Sequence, residues 1–347
     1  MKILALDLGN FKSVACVGET ENCSKVEYET IVSSKEGLGK LLEKHRPERV
    51  VIEICPLAGW VSDLVREMGI EMQVASTNEP RSQWRHVKRK SDRRDALKLW
   101  QRSAVGDLKQ VHVPKPEIRQ WRSLINYRQQ LVRRRTRIKN HVRALMLREN
   151  LSWARGKSGW TQAAVAQLEQ LAQSLAAVSM SELWRGELRL ELEALKGVNG
   201  LLREVDKKLD RLGKANAGVQ LLQSVAGVGP RLAEALVAQF DEPRRLKNGK
   251  EVGPYLGLVP KQWQSGETER LGHITRVGNR VIRALLVEAS WAGLRYNPWI
   301  REVYQRVKRG SKERRKIAIV AVARHLAVRC WAMLRDGTRW REPTQTA

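Results

Sequence analysis

Four carboxylates stand at positions from which acids can act together on a phosphate ester. Asp7 follows the first apolar run of the chain, Glu53 ends a later run, and Asp92 and Asp95 lie in the basic segment RKSDRRDALKL. The i, i+3 spacing of Asp92 and Asp95 places both side chains on one face of a helix. Mg²⁺ and Mn²⁺ bind carboxylate oxygens and keep several waters, so they need no histidine or cysteine here. The four acids therefore predict a pair of metal ions about 3.5–4 Å apart.

Residues 1–80 are predicted to place these acids at the edge of an α/β sheet. Apolar and alternating stretches predict strands, and longer stretches with one apolar face predict helices. The predicted strands are Lys2–Leu8, Lys12–Gly18, Lys25–Val32, Arg49–Ile54 and Glu71–Ser76, and the predicted helices are Gly37–His45 and Val61–Met68. This β-β-β-α-β-α-β order predicts a mixed sheet. Taken singly, Asp7 also suits a turn, Glu53 a solvated surface and Asp92 a helix cap.

The charge of the chain is large and segregated. Its 347 residues contain 64 Lys and Arg against 37 Asp and Glu, which gives a formal net charge of +27. Residues 81–148 hold 21 basic and 4 acidic side chains and residues 301–340 hold 12 and 3, whereas residues 1–80 are net acidic. Such segregation is typical of surfaces that bind a long polyanion and argues against an ordinary metabolic enzyme. Merely solvated helix faces are the alternative explanation.

Composition narrows the class of protein further. Hydrophobic residues make up 42% of the chain, which is enough for packed cores and excludes a disordered basic tail. No apolar run reaches the ~18 residues of a membrane span, and the N-terminus lacks the pattern of a signal peptide. The four cysteines form no C-x-x-C pair, which argues against structural zinc and against disulfides. We expect a protein of a reducing compartment, without a membrane partner.

The middle of the chain is predicted to be helical. A long basic helix follows Pro116, with its apolar face at Ile118, Trp121, Ile125, Val132, Ile138, Val142 and Leu145. A heptad-like seam follows at Leu188, Leu195, Val198, Leu202, Val205, Leu209 and Leu212. This seam predicts a coiled coil or a long helical hairpin, and a helix packed on a globular core is the alternative. In either case we expect a lever arm or a dimerisation element.

Two features of the C-terminal region could act on a nucleic-acid backbone. In LLQSVAGVGPRLAEALVAQF, Gly227 and Gly229 separate two amphipathic stretches, which predicts a helix-hairpin-helix that holds a phosphate. A tight turn between two helices is the alternative. Further on, Ser265 lies in a predicted polar loop before a glycine, and Arg276 and Arg280 are candidate phosphate clamps.

Three N-terminal segments resemble the RuvC-like (RNase H fold) domain of the DEDD transposases of the bacterial insertion-sequence 110 family. The segments are ALDLGNFKSVACV, RVVIEICPLAGWVSDL and VKRKSDRRDALKL. The resemblance implies that Asp7, Glu53, Asp92 and Asp95 are the acidic tetrad. Two details differ from the common pattern: ICPLAGW is longer than E-x-x-G, and Ser91 stands where threonine is frequent. The sugar-kinase and actin ATPase fold also has D-x-G after a first strand, but its second phosphate loop is missing here.

A fourth segment, PYLGLVPKQWQSGETERLGHITRVGNR, resembles the C-terminal transposase domain of the same family. Its pattern is G-L-x-P, then S-G, then G-x-I-x-x-x-G-N, and the resemblance implies that Ser265 is a nucleophile that forms a phosphoserine ester. The family further implies a structured guide RNA, double-stranded donor and target DNA, a bacterial cytoplasmic location, and dimers that pair into tetramers.

These observations predict an α/β plus α protein with four regions. The regions are a RuvC-like domain at 1–108, a basic helical or coiled-coil region at 109–216, a C-terminal transposase domain with a helix-hairpin-helix at 217–341, and a tail at 342–347. The candidate nucleic-acid-binding residues are Lys88, Arg89, Lys90, Arg93, Arg94, Arg133, Arg134, Arg135, Gly227, Gly229, Arg276 and Arg280. Two other functions stay open: a junction nuclease that uses the four acids alone, and a binding protein without catalysis.

Overall fold

The computed structural model describes residues 1–22, 25–76, 91–265 and 268–341. The predicted contacts Lys88, Arg89 and Lys90 and the predicted tail 342–347 lie outside these residues. The chain divides into two compact units, Met1–Arg119 and Gln120–Ala347, and the division falls near the start of a long helix.

In the first unit, the described residues up to Ala75 form five strands and two helices in the predicted order, and a third helix follows. The strands are β1 (Lys2–Leu8), β2 (Lys12–Glu19), β3 (Val26–Val32), β4 (Arg49–Glu53) and β5 (Glu71–Ala75). The helices are α1 (Lys35–His45), α2 (Ala58–Glu67) and α3 (Asp92–Ala104). Most predicted bounds are correct to within one or two residues, because each strand is a short apolar or alternating run between turns. Helix α2 begins three residues before its predicted start.

The strands form one mixed sheet in the order β3-β2-β1-β4-β5. Strand β1 pairs antiparallel with β2 and parallel with β4, and β4 pairs parallel with β5. Strands β1 and β4 each contain an uninterrupted buried apolar run, Ile3–Leu6 and Val50–Ile52, because both faces of the sheet are covered there. The predicted mixed α/β sheet is therefore confirmed.

Successive residues of β1 pack into two different hydrophobic cores, one on each face of the sheet. Leu4 and Leu6 pack on the side of the sheet that α1 and α2 cover. Ile3 and Ala5 pack on the opposite side, together with Ala96, Leu99 and Trp100 of α3. Alternation along a strand continues past Ala5, so Asp7 belongs to the face that carries α3.

Trp100 fixes the direction of α3 across that face. Its side chain is 1% exposed, and its indole Nε1 donates to the carbonyl oxygens of Ile3 at 3.2 Å and Gly18 at 3.3 Å. A Cβ on Gly18 would lie 3.0 Å from the Trp100 ring, so the tryptophan fits there because residue 18 is a glycine. The last turns of α3 therefore lie at the beginning of β1.

The second unit is mainly helical. Its helices are α4 (Pro116–Arg148, which begins in the first unit), α5 (Gln162–Leu171), α6 (Leu183–Lys214), α7 (Ala217–Leu222), α8 (Pro230–Phe240), α9 (Gly249–Tyr255), α10 (Arg280–Tyr296), α11 (Pro298–Lys308) and α12 (Arg315–Asp336). Two strands, β6 (Pro260–Ser265) and β7 (Thr268–Ile274), form an antiparallel hairpin. This hairpin was not among the predicted elements.

Helices α4 and α6 pack on each other within the chain. Apolar side chains of both helices share one core, whose members include Val142, Leu145, Met146, Leu188 and Leu192. The Arg128 guanidinium lies 2.6 Å from the Asp206 carboxylate, which adds an ion pair between the helices. The seam predicted along α6 is buried inside the chain except at Leu212, which is half-buried, and its role as a lever arm or dimerisation element stays a prediction. On α4, Leu131 is buried and the predicted Val132 is only half-buried.

Helix α12 packs against α7, α9, α10 and α11 and contributes many of the buried apolar side chains of the second unit. It is the one helix among the described residues that is long and apolar enough to cross a membrane. Half of the most apolar stretch of this helix is buried in the protein, however, and Arg324 and Arg329 interrupt the apolar sequence of the helix. These features are typical of a core helix.

Candidate active site

Asp7 and Glu53 occupy neighbouring positions on adjacent strands. The parallel register pairs Ala5 with Val51 and Leu6 with Ile52, so the next step brings Asp7 beside Glu53 at the carboxyl ends of β1 and β4. Val51 packs in the same core as Ala5, and alternation puts Glu53 on that face too. Both acids are half-buried. Two carboxylates therefore share one end of one sheet face.

Helix α3 brings the other two acids towards the same end. Asp92 and Asp95 lie one turn before Ala96 and Leu99, the residues by which the helix packs on the sheet. From Trp100 back to Asp92 the helix spans about 12 Å at 1.5 Å per residue. From Ile3 to Asp7 the strand spans about 13 Å. Because Trp100 is anchored at Ile3, the first turn of α3 reaches the level of Asp7.

Helix α3 thus covers the sheet face to which Asp7 and Glu53 belong, and its length allows its first turn to come level with Asp7. The exposed guanidinium of Arg93 lies 5.6 Å from the ring centre of Tyr28 on β3, which ties the first turn of α3 to the sheet. Arg94 beside it is exposed. Within the described part of the chain, no three His, Cys, Asp or Glu side chains lie close enough together to hold one metal ion. The role of the acids as metal ligands stays a prediction.

Ser265 is the last residue of β6, not a loop residue as the sequence predicted. Its backbone pairs with Thr268, the first residue of β7, so it lies at the tip of the hairpin. The prediction failed because β6 reads PKQWQS, which lacks the apolar alternation that indicates a strand. The two-residue Gly-Glu connection between the strands is the signal that could have revealed the hairpin.

The hairpin separates Ser265 from the predicted phosphate clamps. Pro260 pairs with Ile274 at the base, and the amide of Arg276 donates to the Gly257 carbonyl oxygen at 3.2 Å. Along β6 the tip is roughly 17 Å from the base. Arg276 and Arg280 therefore lie near the base of the hairpin, and their role as phosphate clamps stays a prediction.

Arg276 and Arg280 form a cluster with Arg283. Arg283 was not among the residues predicted from the sequence. Arg283 Nη1 donates to the carbonyl oxygens of Val277 at 2.6 Å and Gly278 at 3.1 Å. Burial, and then the positive charges of Arg276 and Arg280, lower the pKa of Arg283. Its position one turn after Arg280 is the sequence signal that could have included it. The cluster is a concentrated positive charge at the beginning of α10.

The backbone of the turn between α7 and α8 explains why residue 227 is a glycine. Gly227 has a φ of +103°, and a Cβ there would lie 2.9 Å from the Cα of Gly293 on α10. Gly229, which precedes α8, has open space where its Cβ would be, so a ligand backbone could approach it. Gly227 thus agrees with the tight-turn interpretation. A phosphate contact at Gly229 stays a prediction.

Comparisons with known proteins match an N-terminal and a C-terminal part of the chain. A family model for the transposases of IS116, IS110 and IS902 matches residues 219–305, which include Ser265. A model for the DEDD transposases of IS110 matches residues 4–150, which include all four acids. The chain is 28% identical over 298 residues to a Pseudomonas aeruginosa protein named "Probable family 20 transposase", covering 85% of this chain and 86% of the relative. It is also 28% identical over 296 residues to the transposase for insertion sequence element IS1111A of Coxiella burnetii, covering 82% and 77%.

Proposed function

The chain belongs to the insertion-sequence 110 family of DEDD transposases, and we propose that it recombines DNA at specific sites under the guidance of a structured RNA. The observation that supports the proposal is the position of Asp7 and Glu53 at the carboxyl ends of adjacent strands, on the sheet face that α3 covers. Four acids at one end of a sheet are a suitable arrangement for phosphodiester cleavage.

The carboxylates suit a divalent metal ion by donor type. The family is generally divalent-metal dependent, and the oxygens of Asp7, Glu53, Asp92 and Asp95 are ligands that Mg²⁺ and Mn²⁺ prefer. A bound ion would supply charge stabilisation at the phosphate under attack.

Ser265 is proposed as the nucleophile. Its hydroxyl loses a proton, a bond forms between Oγ and phosphorus, the bond from phosphorus to the 3′ oxygen breaks, and that oxygen takes up a proton. The product is a 5′-phosphoserine ester and a free 3′ hydroxyl. Because the ester keeps the energy of the phosphodiester bond, the reverse step can join a different 3′ end without ATP.

The charge segregation supports two nucleic-acid partners. The basic side chains of 81–148 and of 301–340 offer separate surfaces on the chain, one for RNA and one for double-stranded donor and target DNA. Recognition of a duplex by shape needs charge more than base-reading side chains. A homo-oligomer, dimer or tetramer, would bring together the several active sites that strand exchange requires.

Covalent trapping tests the chemistry. The protein is mixed with Mg²⁺, RNA from its native locus and labelled DNA spanning the element ends, and adducts are mapped by mass spectrometry after denaturation. We expect an adduct at Ser265 that disappears with Ser265→Ala, with Asp92→Asn and with chelator. The matched control Ser181→Ala replaces an exposed serine of the same unit and should keep the adduct.

A RuvC-like junction nuclease is the second candidate. The four acids lie in the first compact unit and Ser265 lies in the second, so hydrolysis by the acids alone is compatible with this division. Cleavage that persists in Ser265→Ala without any adduct would favour the nuclease and overturn the serine mechanism.

A further inference from the structure

A basic cavity lies between α4 and the segment that follows it. Its volume is about 430 Å³, within the range of about 300–1,000 Å³ that ligand sites occupy. Two chain segments line it: one face of α4, and the turn that leads into the short helix Ser158–Trp160. The lining residues are Arg135, Thr136, Lys139, Asn140, Arg143, Gly156, Lys157 and Trp160.

Arg143 joins the two walls of the cavity. Its Nη2 donates to the Gly156 carbonyl oxygen at 2.9 Å, and its Nη1 donates to Asn140 Oδ1 at 3.3 Å. Lys139 Nζ lies 4.7 Å from the ring centre of Trp160, and Arg143 Cζ lies 5.4 Å from it. These contacts hold the turn against the helix, so the cavity is formed before any ligand arrives.

All charged side chains that line the cavity are positive. Arg135, Lys139 and Arg143 follow each other at intervals of four residues along α4, and Lys157 faces them from the turn. None of the described residues that line the cavity is an Asp or Glu. Burial, and then the positive charges of Arg135 and Arg143, lower the pKa of Lys139. Like charges at this spacing repel one another, and a bound anion would relieve the repulsion.

The surroundings favour a polyanion over a small free anion. Arg133, Arg134 and Arg137 are exposed on the same helix, so positive charge continues beyond the cavity. A nucleic-acid strand can place one phosphate in the cavity, while the exposed arginines around the rest of the helix attract the polyanion at longer range. A guanidinium and an ammonium at the cavity are the donors that phosphate oxygens accept from most strongly.

We propose that the cavity formed by Arg135, Lys139, Arg143, Lys157 and Trp160 binds a backbone phosphate of a nucleic acid. The inference rests on the proposed nucleic-acid function and names one anchoring point for it. Such a contact fixes the position of the strand and reads no sequence.

The test compares two double variants that lose the same charge. Lys139→Gln with Lys157→Gln removes two cations from the cavity, and Lys196→Gln with Lys208→Gln removes two exposed lysines of α6 as the matched control. Binding of a fluorescein-labelled DNA duplex and of a structured RNA hairpin is measured over a series of salt concentrations. Lysine acetylation of the wild-type protein, with and without each nucleic acid, is mapped by mass spectrometry.

We expect the cavity variant to lower the magnitude of the slope of log Kobs against log salt by about 0.9, the value for one lost phosphate contact. The control should change the slope by less than half of that, and nucleic acid should protect Lys139 and Lys157 from acetylation. An effect on the DNA probe, the RNA probe or both identifies the source of the phosphate. If both double variants have the same salt slope, and nucleic acid does not change the acetylation of Lys139 and Lys157, the cavity is not a phosphate site. That result would leave the proposed function standing. Wild-type protein that binds neither probe would overturn the proposed function as well.

Discussion

At the scale of single residues, Arg231 of the second unit is paired with carboxylates, whereas two surface clusters of cations in that unit are not. Arg231 lies 3.2 Å from Asp206 and 3.1 Å from Glu234 and also pairs with Asp210. By contrast, no carboxylate among the described residues pairs with the cations of the basic cavity or of the cluster at the beginning of α10. The carboxylates thus compensate the charge of Arg231 within the protein, whereas the charges of the two surface clusters are available to a ligand.

Glu234 is the most unusual carboxyl of the interior. Its side chain is 1% exposed, and burial raises its pKa from 4.5 to about 7. The unfolded chain loses this proton near pH 4.5, whereas the folded protein keeps it until about pH 7. The free energy of unfolding therefore falls as the pH rises from about 4.5 to about 7.

Glu234→Gln should remove this pH dependence, because an amide does not ionise. We expect the variant to be more stable than the wild type at pH 8, by up to about 3 kcal/mol, and equally stable near pH 4.5. Urea unfolding at several pH values measures the difference. Glu193→Gln, whose carboxylate is 60% exposed, is the control and should change stability by less than about 0.5 kcal/mol. A constant difference at all pH values would contradict the expectation.

At the scale of elements, the α4–α6 pair decides what the heptad-like seam does. Leu188, Leu195 and Leu209 are at most 5% exposed, so the seam packs within its own chain. Helices joined in this way stabilise each other and do not offer the same apolar stripe to a second copy.

Leu195→Ala tests this packing. A cavity in an intrachain core costs about 2–5 kcal/mol, so we expect the melting temperature to fall at every protein concentration alike. Leu190→Ala, on the same helix but 50% exposed, should have little effect. A Leu195→Ala protein that keeps its stability as a monomer but loses a dimer would show that the seam joins two copies.

At the scale of the whole molecule, the net charge of +27 is the dominant property. It is concentrated in residues 81–148 and 301–340, while residues 1–80 are net acidic. Long-range attraction for a polyanion thus acts mainly on surfaces outside the sheet that carries Asp7 and Glu53.

Nucleic-acid affinity should consequently depend steeply on salt. If six to ten phosphates are contacted, raising salt from about 50 to about 200 mM lowers the affinity by about 10³–10⁵. Fluorescence anisotropy with labelled DNA and RNA measures this, and sucrose at equal osmolality should leave the affinity unchanged. An affinity that does not respond to salt would contradict a phosphate-dominated interface.

The sequence by itself determined the elements of the first unit, because each is a local pattern. Runs such as KILALDL and RVVIE predict strands without knowledge of their partners, and the i, i+3 spacing of Asp92 and Asp95 predicts their common face. The family likewise followed from the order of short motifs. Propensity and periodicity suffice for such features.

Only the tertiary structure decided which faces meet. The register of β1 with β4 brings Asp7 beside Glu53, and Trp100 sets the direction of α3 through backbone contacts far away in sequence. The hairpin at Ser265 escaped prediction because its strands are polar and are held by pairing with each other. The basic cavity required the turn at 156–160 to fold back on α4, and no local pattern encodes a contact of that kind.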